Sequence, residues 1–594
     1  MKFVVCFFLS LFCLVSSAQV DPALAKNYYQ SGEFEKALVL YKKLQITSRS
    51  NPDYSLKLIE CHQQLNQFKS AQDHIESQVI KSRHPQFLVE LGYNYQLQNK
   101  LDQASLNYNQ ALLITEQQPQ YLYGVAKRFE AHSLLDQAIQ VYETGLLRTA
   151  NPNYYYQLAG LYAAKQNIEK MMECYLDYVQ TNPPYMNQVM RLLADYISDD
   201  SSQPFNQLFK KVLLKKSQSA PDPLWNKWLS WLFVQQKELS RAFVQEKAVF
   251  RRNPESLQGL INLATLASEQ KSYKTALNIF EFITQNATDD RTLILANCKF
   301  LELQLEILTD SKSYQNINDS YLGLLNRYKL GQESIELQLS YAHFLMFYRE
   351  NPKSASKFLE TALKKNLSPL NTARLKMKLA DVYLAQNKFN KALVNYTQIQ
   401  LAVRNSPLAQ IASFKVAKTS YYIGDFDWAE TQLKVLKSST SQLTANDALE
   451  LQLLITDHKG SDSLNTALKL YAKADLLNVQ KKPNEALLIL DSILKTHKSD
   501  PIIDQVLLFQ ARIYESQKEY NKAALNYYQI INDHNEEILV DDAYFYLAEL
   551  YRTQLGNFEK AQLYYESIIF NHEDSIHFVE ARNQYRLLRG DLIN

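Results

Sequence analysis

Two ladders of residues, keeping the same period through the first third of the chain, restrict this sequence to a tandem array. Small or apolar residues stand at Ala37, Ala71, Ala104, Ala138 and Met171, at steps of 34, 33, 34 and 33. Prolines stand at Pro52, Pro85, Pro119, Pro152 and Pro183, at steps of 33, 34, 33 and 31. A fixed period of this length marks a supersecondary unit that cannot bury its apolar face alone and must stack on its neighbours. Proline stops one helix and suits the first turn of the next, because it lacks an N–H and fixes φ. Residues 22–184 therefore read as five repeats. A chain of 594 residues is also too long for one core, and an array accounts for that length. With 12 glycines and no alternating apolar–polar run, the fold is expected to be all-α.

The stretch LGYNYQLQNKLDQASLNYNQALLITEQQP, Leu91 to Pro119, shows the packing reason for each position. Gly92 and Ala104 are small where two helices must close on each other. Leu91, Tyr95, Leu101 and Tyr108 fill the seam around them, and Asn99-Lys100 is a polar break where the chain reverses. The order and spacing resemble the tetratricopeptide repeat, a helix–turn–helix unit of about 34 residues. The resemblance implies an all-α solenoid, a right-handed superhelix of tandem helix pairs that binds other proteins.

The markers weaken and then return. Between Tyr185 and Pro221 the small-residue signature fades, and it reappears at Ala242 and Ala276, again 34 apart. Residues 290–330 look helical but degenerate, with SKSYQNIND expected as a polar loop, and Ala342 and Ala355 mark a weaker unit. Residues 185–330 are read as drifted hairpins, with a non-repeat insertion as the alternative for the two weak stretches. Beyond them Ala380 and Ala392, Ala417 and Ala429, Ala474 and Ala486, Ala511 and Ala523, and Ala548 and Ala561 pair off. The step of 57 from Ala429 to Ala486 leaves room for one extra helix. HFVEARNQYRLLRGD would close the array with a charged cap. The expected organisation is thus a signal peptide at 1–18, an N-terminal array at 19–184, degenerate repeats at 185–330, and a C-terminal array with its cap at 331–594.

The first residues read as an export signal. Lys2 is a short positive region, Phe3 to Val15 is apolar, and Ser16-Ser17-Ala18 suits signal peptidase, leaving Gln19 first. Thirteen apolar residues are too few for a permanent span. Lipidation at Cys13 is disfavoured because Phe12, a bulky residue, precedes it. Removing the leader leaves Cys61, Cys174 and Cys298, too few and too scattered for a disulfide framework or a zinc cluster. The segment VDDAYFYLAELYRTQLGNFEKAQLYYESIIF, Val540 to Phe570, is similar to repeats of bacterial periplasmic proteins that assist outer-membrane assembly or act with the Tol–Pal system. That resemblance implies an envelope setting and envelope partners, within an outer-membrane-associated complex.

No motif carries catalysis or a cofactor. His572-Glu573-Asp574-Ser575-Ile576-His577 has one residue too many for a zinc-protease HExxH helix. Cys61 and His62 are sequence neighbours and point apart on a helix. Asp425 and Asp427 sit at a repeat turn without a third calcium ligand. A net charge of +2 gives no pull toward nucleic acid.

Tyrosine is the unusual count, 39 against 4 Trp. Tyr95, Tyr108, Tyr142, Tyr162, Tyr175, Tyr383, Tyr396 and Tyr527 hold seam positions and read as core. In the family the resemblance names, the first helix of each pair lines a concave groove. Carried onto this sequence, the groove positions are Tyr93, Tyr123, Lys127 and Tyr156, then Phe414, Lys418, Tyr421, Tyr422, Tyr471, Arg512, Phe545 and Arg552. Aromatic and arginine side chains are frequent interface anchors. The family's carboxylate clamp is not matched, because Tyr93, Lys127 and Gly160 stand at the position after the small residue.

These observations favour a non-enzymatic protein scaffold. A glycan or peptidoglycan binder using stacked aromatics is the alternative. A hydrolase site within 185–330 is disfavoured, since that region contains no histidine.

Overall fold

The computed structural model describes residues 21–47, 51–254, 256–308, 313–437, 442–460 and 464–591. The expected leader, with its cleavage site and Cys13, lies outside them. Among the described residues there are 32 α-helices and no strand. The chain divides into two compact units, Met1–Leu263 and Ala264–Asn594.

Seven helix pairs build the first unit: Pro22–Gln30 with Phe34–Thr47, Pro52–Gln64 with Phe68–Ser82, Gln86–Gln96 with Leu101–Gln117, Leu122–Ala131 with Leu135–Thr149, Asn153–Ala164 with Ile168–Thr181, Met186–Ala194 with Pro204–Ser219, and Pro223–Gln235 with Leu239–Arg252. Pairs therefore continue beyond residue 185. The small-residue ladder is buried throughout: Ala37, Ala71 and Ala138 are fully buried, and Ala104 and Met171 nearly so. The proline ladder opens the next pair each time, at the first turn of Pro52–Gln64, at the caps of Gln86–Gln96 and Asn153–Ala164, and in the 3-10 turns Pro119–Tyr121 and Pro183–Tyr185. The solenoid of tandem helix pairs is thus the observed architecture.

Gly92 shows why the seam tolerates only a small residue. A Cβ built there would lie 2.4 Å from Cε1 of Tyr108 and 3.0 Å from the carbonyl oxygen of Ala104. Gly92→Ala is expected to displace the Tyr108 ring and cost about 1–3 kcal/mol, measured by urea unfolding. An unchanged midpoint would contradict the close approach.

Many of the reversals within a pair follow one backbone recipe. Asn99 adopts φ 59°, its N–H donates to the Gln96 carbonyl at 2.9 Å, and the Lys100 N–H donates to the Tyr95 carbonyl at 3.0 Å. This is a Schellman termination, in which a left-handed residue satisfies the last carbonyls of a helix. Left-handed residues recur at Asn66, Asn99, Ser133 and Gln166 at the repeat period.

In the second unit the pairs include Ser313–Tyr328 with its preceding helix Asp290–Ile307, Ile335–Phe347 with Pro352–Ala362, Pro369–Ala385 with Phe389–Ala402, and Pro407–Ile423 with Phe426–Lys437. Gln442–His458 is the extra helix foreseen from the 57-residue step. Thr466–Val479 with Pro483–Thr496, Ile503–Ser516 with Tyr520–Asp533, and Val540–Thr553 with Phe558–Asn571 follow, and Phe578–Arg589 is last. The polar loop expected at SKSYQNIND is corrected: from Ser313 onward that stretch begins a helix. Ile317, Tyr321 and Leu325, spaced four apart, bury one face of it and outweigh the polar residues between them. One continuous core runs from Ile294 to Ala581.

One buried histidine in each unit is held neutral. Burial, with His62, Lys81 and Lys42 nearby, pushes the His74 imidazole down to about 4. His343 is pushed down to about 4 by burial and by Lys378. Each ring nitrogen accepts a hydrogen bond, from Gln45 Nε2 at 3.2 Å and from Lys378 Nζ at 2.9 Å, which protonation would abolish. An unfolded imidazole titrates near 6.5, so the unfolded chain takes up protons that these sites refuse. Their stabilising contribution is complete above about pH 6.5 and is lost as pH falls toward about 4. Thermal melts across that window should show a falling Tm, with a shallower slope in a His74→Gln/His343→Gln variant. An equal slope in that variant would assign the acid sensitivity elsewhere.

Candidate functional site

In the first unit, the first helices of three consecutive pairs carry polar groups that converge. Glu60 comes from Pro52–Gln64, Glu90 and Tyr93 from Gln86–Gln96, and Lys127 and Arg128 from Leu122–Ala131, whose C-cap is His132. Arg128 donates from Nε to Glu90 Oε1 at 2.5 Å and from Nη2 to Glu60 Oε1 at 2.8 Å. His132 Nε2 also lies 2.9 Å from Glu90 Oε1, and Lys57 Nζ donates to Glu60 Oε2 at 2.5 Å. The Glu90 side chain is fully buried, and its Oε2 has no partner. Burial alone would favour neutral Arg128, yet the Glu90 and Glu60 carboxylates hold it above its ordinary value. Burial likewise opposes ionised Glu60, but Arg128 and Lys57 hold it below the usual carboxylate range. The Tyr93 ring stacks on His132 with centroids 3.7 Å apart.

The same helix, Leu122–Ala131, also carries a more exposed group of residues. Tyr123 is 56% exposed, and the Lys127 ammonium sits 5.8 Å from its ring centre. Lys127 Nζ donates to Glu130 Oε2 at 2.7 Å and to Gln157 Oε1 at 3.3 Å, which ties Leu122–Ala131 to Asn153–Ala164. Tyr142 fixes Glu130 from behind, its hydroxyl donating to Oε1 at 2.7 Å. Tyr156 packs on Tyr178 at 5.4 Å. Tyr123, Asn151, Asn153, Tyr154, Tyr156, Gln157 and Tyr178 enclose an open cavity of about 360 Å³. Of the groove positions carried from the sequence, Tyr123, Lys127 and Tyr156 are therefore brought together. Tyr93 belongs to the charge cluster beside them.

The second unit places its groove positions differently. Tyr421 is fully buried and Tyr422 is 9% exposed, so neither is a surface anchor. The helix Pro407–Ile423 is covered by Phe426–Lys437, by the extra helix Gln442–His458 and by Thr466–Val479. The Tyr422 hydroxyl donates to Asp475 Oδ2 on the last of these at 3.2 Å. Lys418 approaches the same carboxylate at 3.5 Å. Phe414, Tyr471 and Phe545 are half-buried against the core, Tyr471 beside Phe509 at 5.5 Å and Phe545 stacked on His577 at 4.1 Å. Arg512 is exposed, with its guanidinium 5.5 Å over the Tyr546 ring, and Arg552 pairs with Glu549 at 2.6 Å.

The motifs set aside from the sequence occupy ordinary positions. His572 and His577 stand in the connection after Phe558–Asn571, His572 facing Tyr544 and His577 paired with Asp542 at 2.8 Å. Asp425 accepts from the Trp428 N–H, and Asp427 pairs with Lys459. Burial pushes the Cys61 thiol up to about 12, and His62 is engaged by Gln67 at 2.7 Å. No trio of His, Cys, Asp or Glu is grouped to hold a metal ion among the described residues, and no helix there is long and apolar enough to cross a membrane.

The charge cluster was not anticipated from the sequence. Its signal was present: Glu90 interrupts the apolar run of QFLVELGYN at a position the helical period assigns to the interior.

No protein-family model and no curated protein matches the sequence. Among solved structures, the chain is similar to one from Naa15/Naa10 bound to HypK-THB, at 12% identity and a TM-score of 0.28, covering 96% of each chain. It is also similar to one from the APC/C hetero-tetramer Cut9-Hcn1, at 11% identity and a TM-score of 0.23, covering 95% of each chain. Likeness this weak transfers no function, and the functional reading rests on the residues.

Proposed function

We propose that this chain is a non-enzymatic scaffold of the bacterial periplasm, which holds envelope protein partners on the first-helix face of its first unit. The observation that carries this is the open cavity lined by Tyr123 and Tyr156, with Lys127 held beside it against Tyr123, Glu130 and Gln157. Aromatic rings fixed in advance lose little entropy on binding and bury large area. Lys127 and Gln157 supply donors and acceptors beside them. The setting is supported by the signal-like leader and by the likeness of Val540–Phe570 to envelope repeats.

Truncating Tyr123 and Lys127 together to Ala is expected to cost about 2 kcal/mol of affinity or more, with folding nearly unchanged. Crosslinking in intact cells, followed by pull-down and mass spectrometry, should then lose partners that the wild type recovers. Full recovery by a folded variant would move the binding surface elsewhere. N-terminal sequencing tests the location: the mature chain should begin at Gln19, and an acylated Cys13 or an intact leader would refute it.

A further inference from the structure

A second surface lies away from the first-helix face, on the helix Pro204–Ser219. Lys211, Leu214, Lys215 and Gln218 follow the spacing i, i+3, i+4 and i+7, which places them on one stripe. With Lys210 and Arg241 they line a groove of about 610 Å³ whose lining contains no acidic and no aromatic residue. The negative charge nearby is engaged at the edges. Glu173 takes Lys215 at 2.8 Å, Glu238 takes Arg241 at 2.7 Å, and Asp199 takes Lys237 at 2.8 Å. Among the described residues no carboxylate pairs with Lys210 or Lys211, and the Lys210 ammonium rests 5.7 Å from the Phe233 ring. The groove floor is anchored, because buried Asn206 donates to the Ser198 and Asp200 carbonyls at 2.9 and 2.7 Å.

We infer that this groove docks an acidic, extended segment of a partner protein. An unbalanced cluster of ammonium and guanidinium groups recognises carboxylates, and the edge pairs are exposed enough to exchange partners at little cost. Gln207, Gln218 and Gln236 supply amides that suit a peptide backbone, and Leu214, 43% exposed, supplies an apolar contact. The stripe from Lys211 to Gln218 spans about 10 Å at about 1.5 Å per residue, enough for about three residues of an extended chain. A single-stranded nucleic acid would use aromatic platforms and a longer phosphate track, and the lining provides neither.

The test uses the full mature chain and a labelled peptide of alternating Glu and Ser, with a Gln and Ser peptide as control, followed by fluorescence anisotropy. The acidic peptide is expected to bind at least about tenfold more tightly than the control, and to weaken as salt rises. Lys210→Glu with Lys211→Glu should abolish that preference without changing Tm, whereas Tyr123→Ala should leave it intact. Equal binding of both peptides, or a preference that survives the double charge reversal, would overturn the inference. So would tighter binding of a single-stranded oligonucleotide that the same reversal removes.

Discussion

Arg128→Ala is expected to destabilise the first unit by about 3–5 kcal/mol, because it strips the partner from a carboxylate that water cannot reach. Glu90 is fully buried, and Arg128 and His132 are its neighbours. Burying a charge without a partner costs far more than the pair contributes when whole. Urea unfolding followed by circular dichroism would measure the loss, as a lower midpoint for the transition assigned to the first unit. The control separates charge from packing. Arg128→Met combined with Glu90→Leu removes both charges and fills similar volume, and should recover most of the stability. If the single variant is as stable as the wild type, the contacts of Arg128 with Glu90 and Glu60 do not hold the first unit together. If the double variant is as unstable as the single one, the cluster matters for its shape.

Tyr421→Ala should cost about 3–5 kcal/mol, and Tyr123→Ala no more than about 0.5. Both residues come from the same expectation about groove positions, yet their surroundings differ. The Tyr421 ring packs between Tyr422 at 5.5 Å and Phe426 at 5.8 Å, and its removal leaves a cavity under three helices. Tyr123 is 56% exposed and loses mainly its contact with Lys127. Thermal melts of the two variants decide the matter. A folded, fully stable Tyr421→Ala protein would contradict the packing described for the second unit.

The fold was legible because one small residue per hairpin and one proline per boundary have steric causes that repeat with the unit. Ala37, Ala71, Ala138 and Ala561 are all fully buried where the period puts them. The left-handed turn residues were not legible, because Ser133, Gln166 and Lys518 carry no glycine signal although the backbone there needs a positive φ. The group at Tyr123, Lys127 and Tyr156 followed from position within the pair. Tyr421 and Tyr422 did not, because Phe426 and the helix Thr466–Val479, which carries Tyr471 and Asp475, pack over them, and the period does not show that covering. Ser313–Asp319 failed for another reason. Its polar residues dominate the local composition, whereas the contacts that fix it depend on Ile317, Tyr321 and Leu325.

The reach of Arg128 alters how the array can come apart. In an ordinary solenoid each repeat touches only its neighbours, so a break between repeats costs one interface, and the ends can peel away singly. Arg128 belongs to the fourth pair, while Glu90 and Glu60 belong to the third and second. Opening on either side of the third pair therefore exposes half of an ion pair, and one bond couples units that are not adjacent. The second, third and fourth pairs are thereby joined into one cooperative block, which opens as a unit instead of peeling pair by pair.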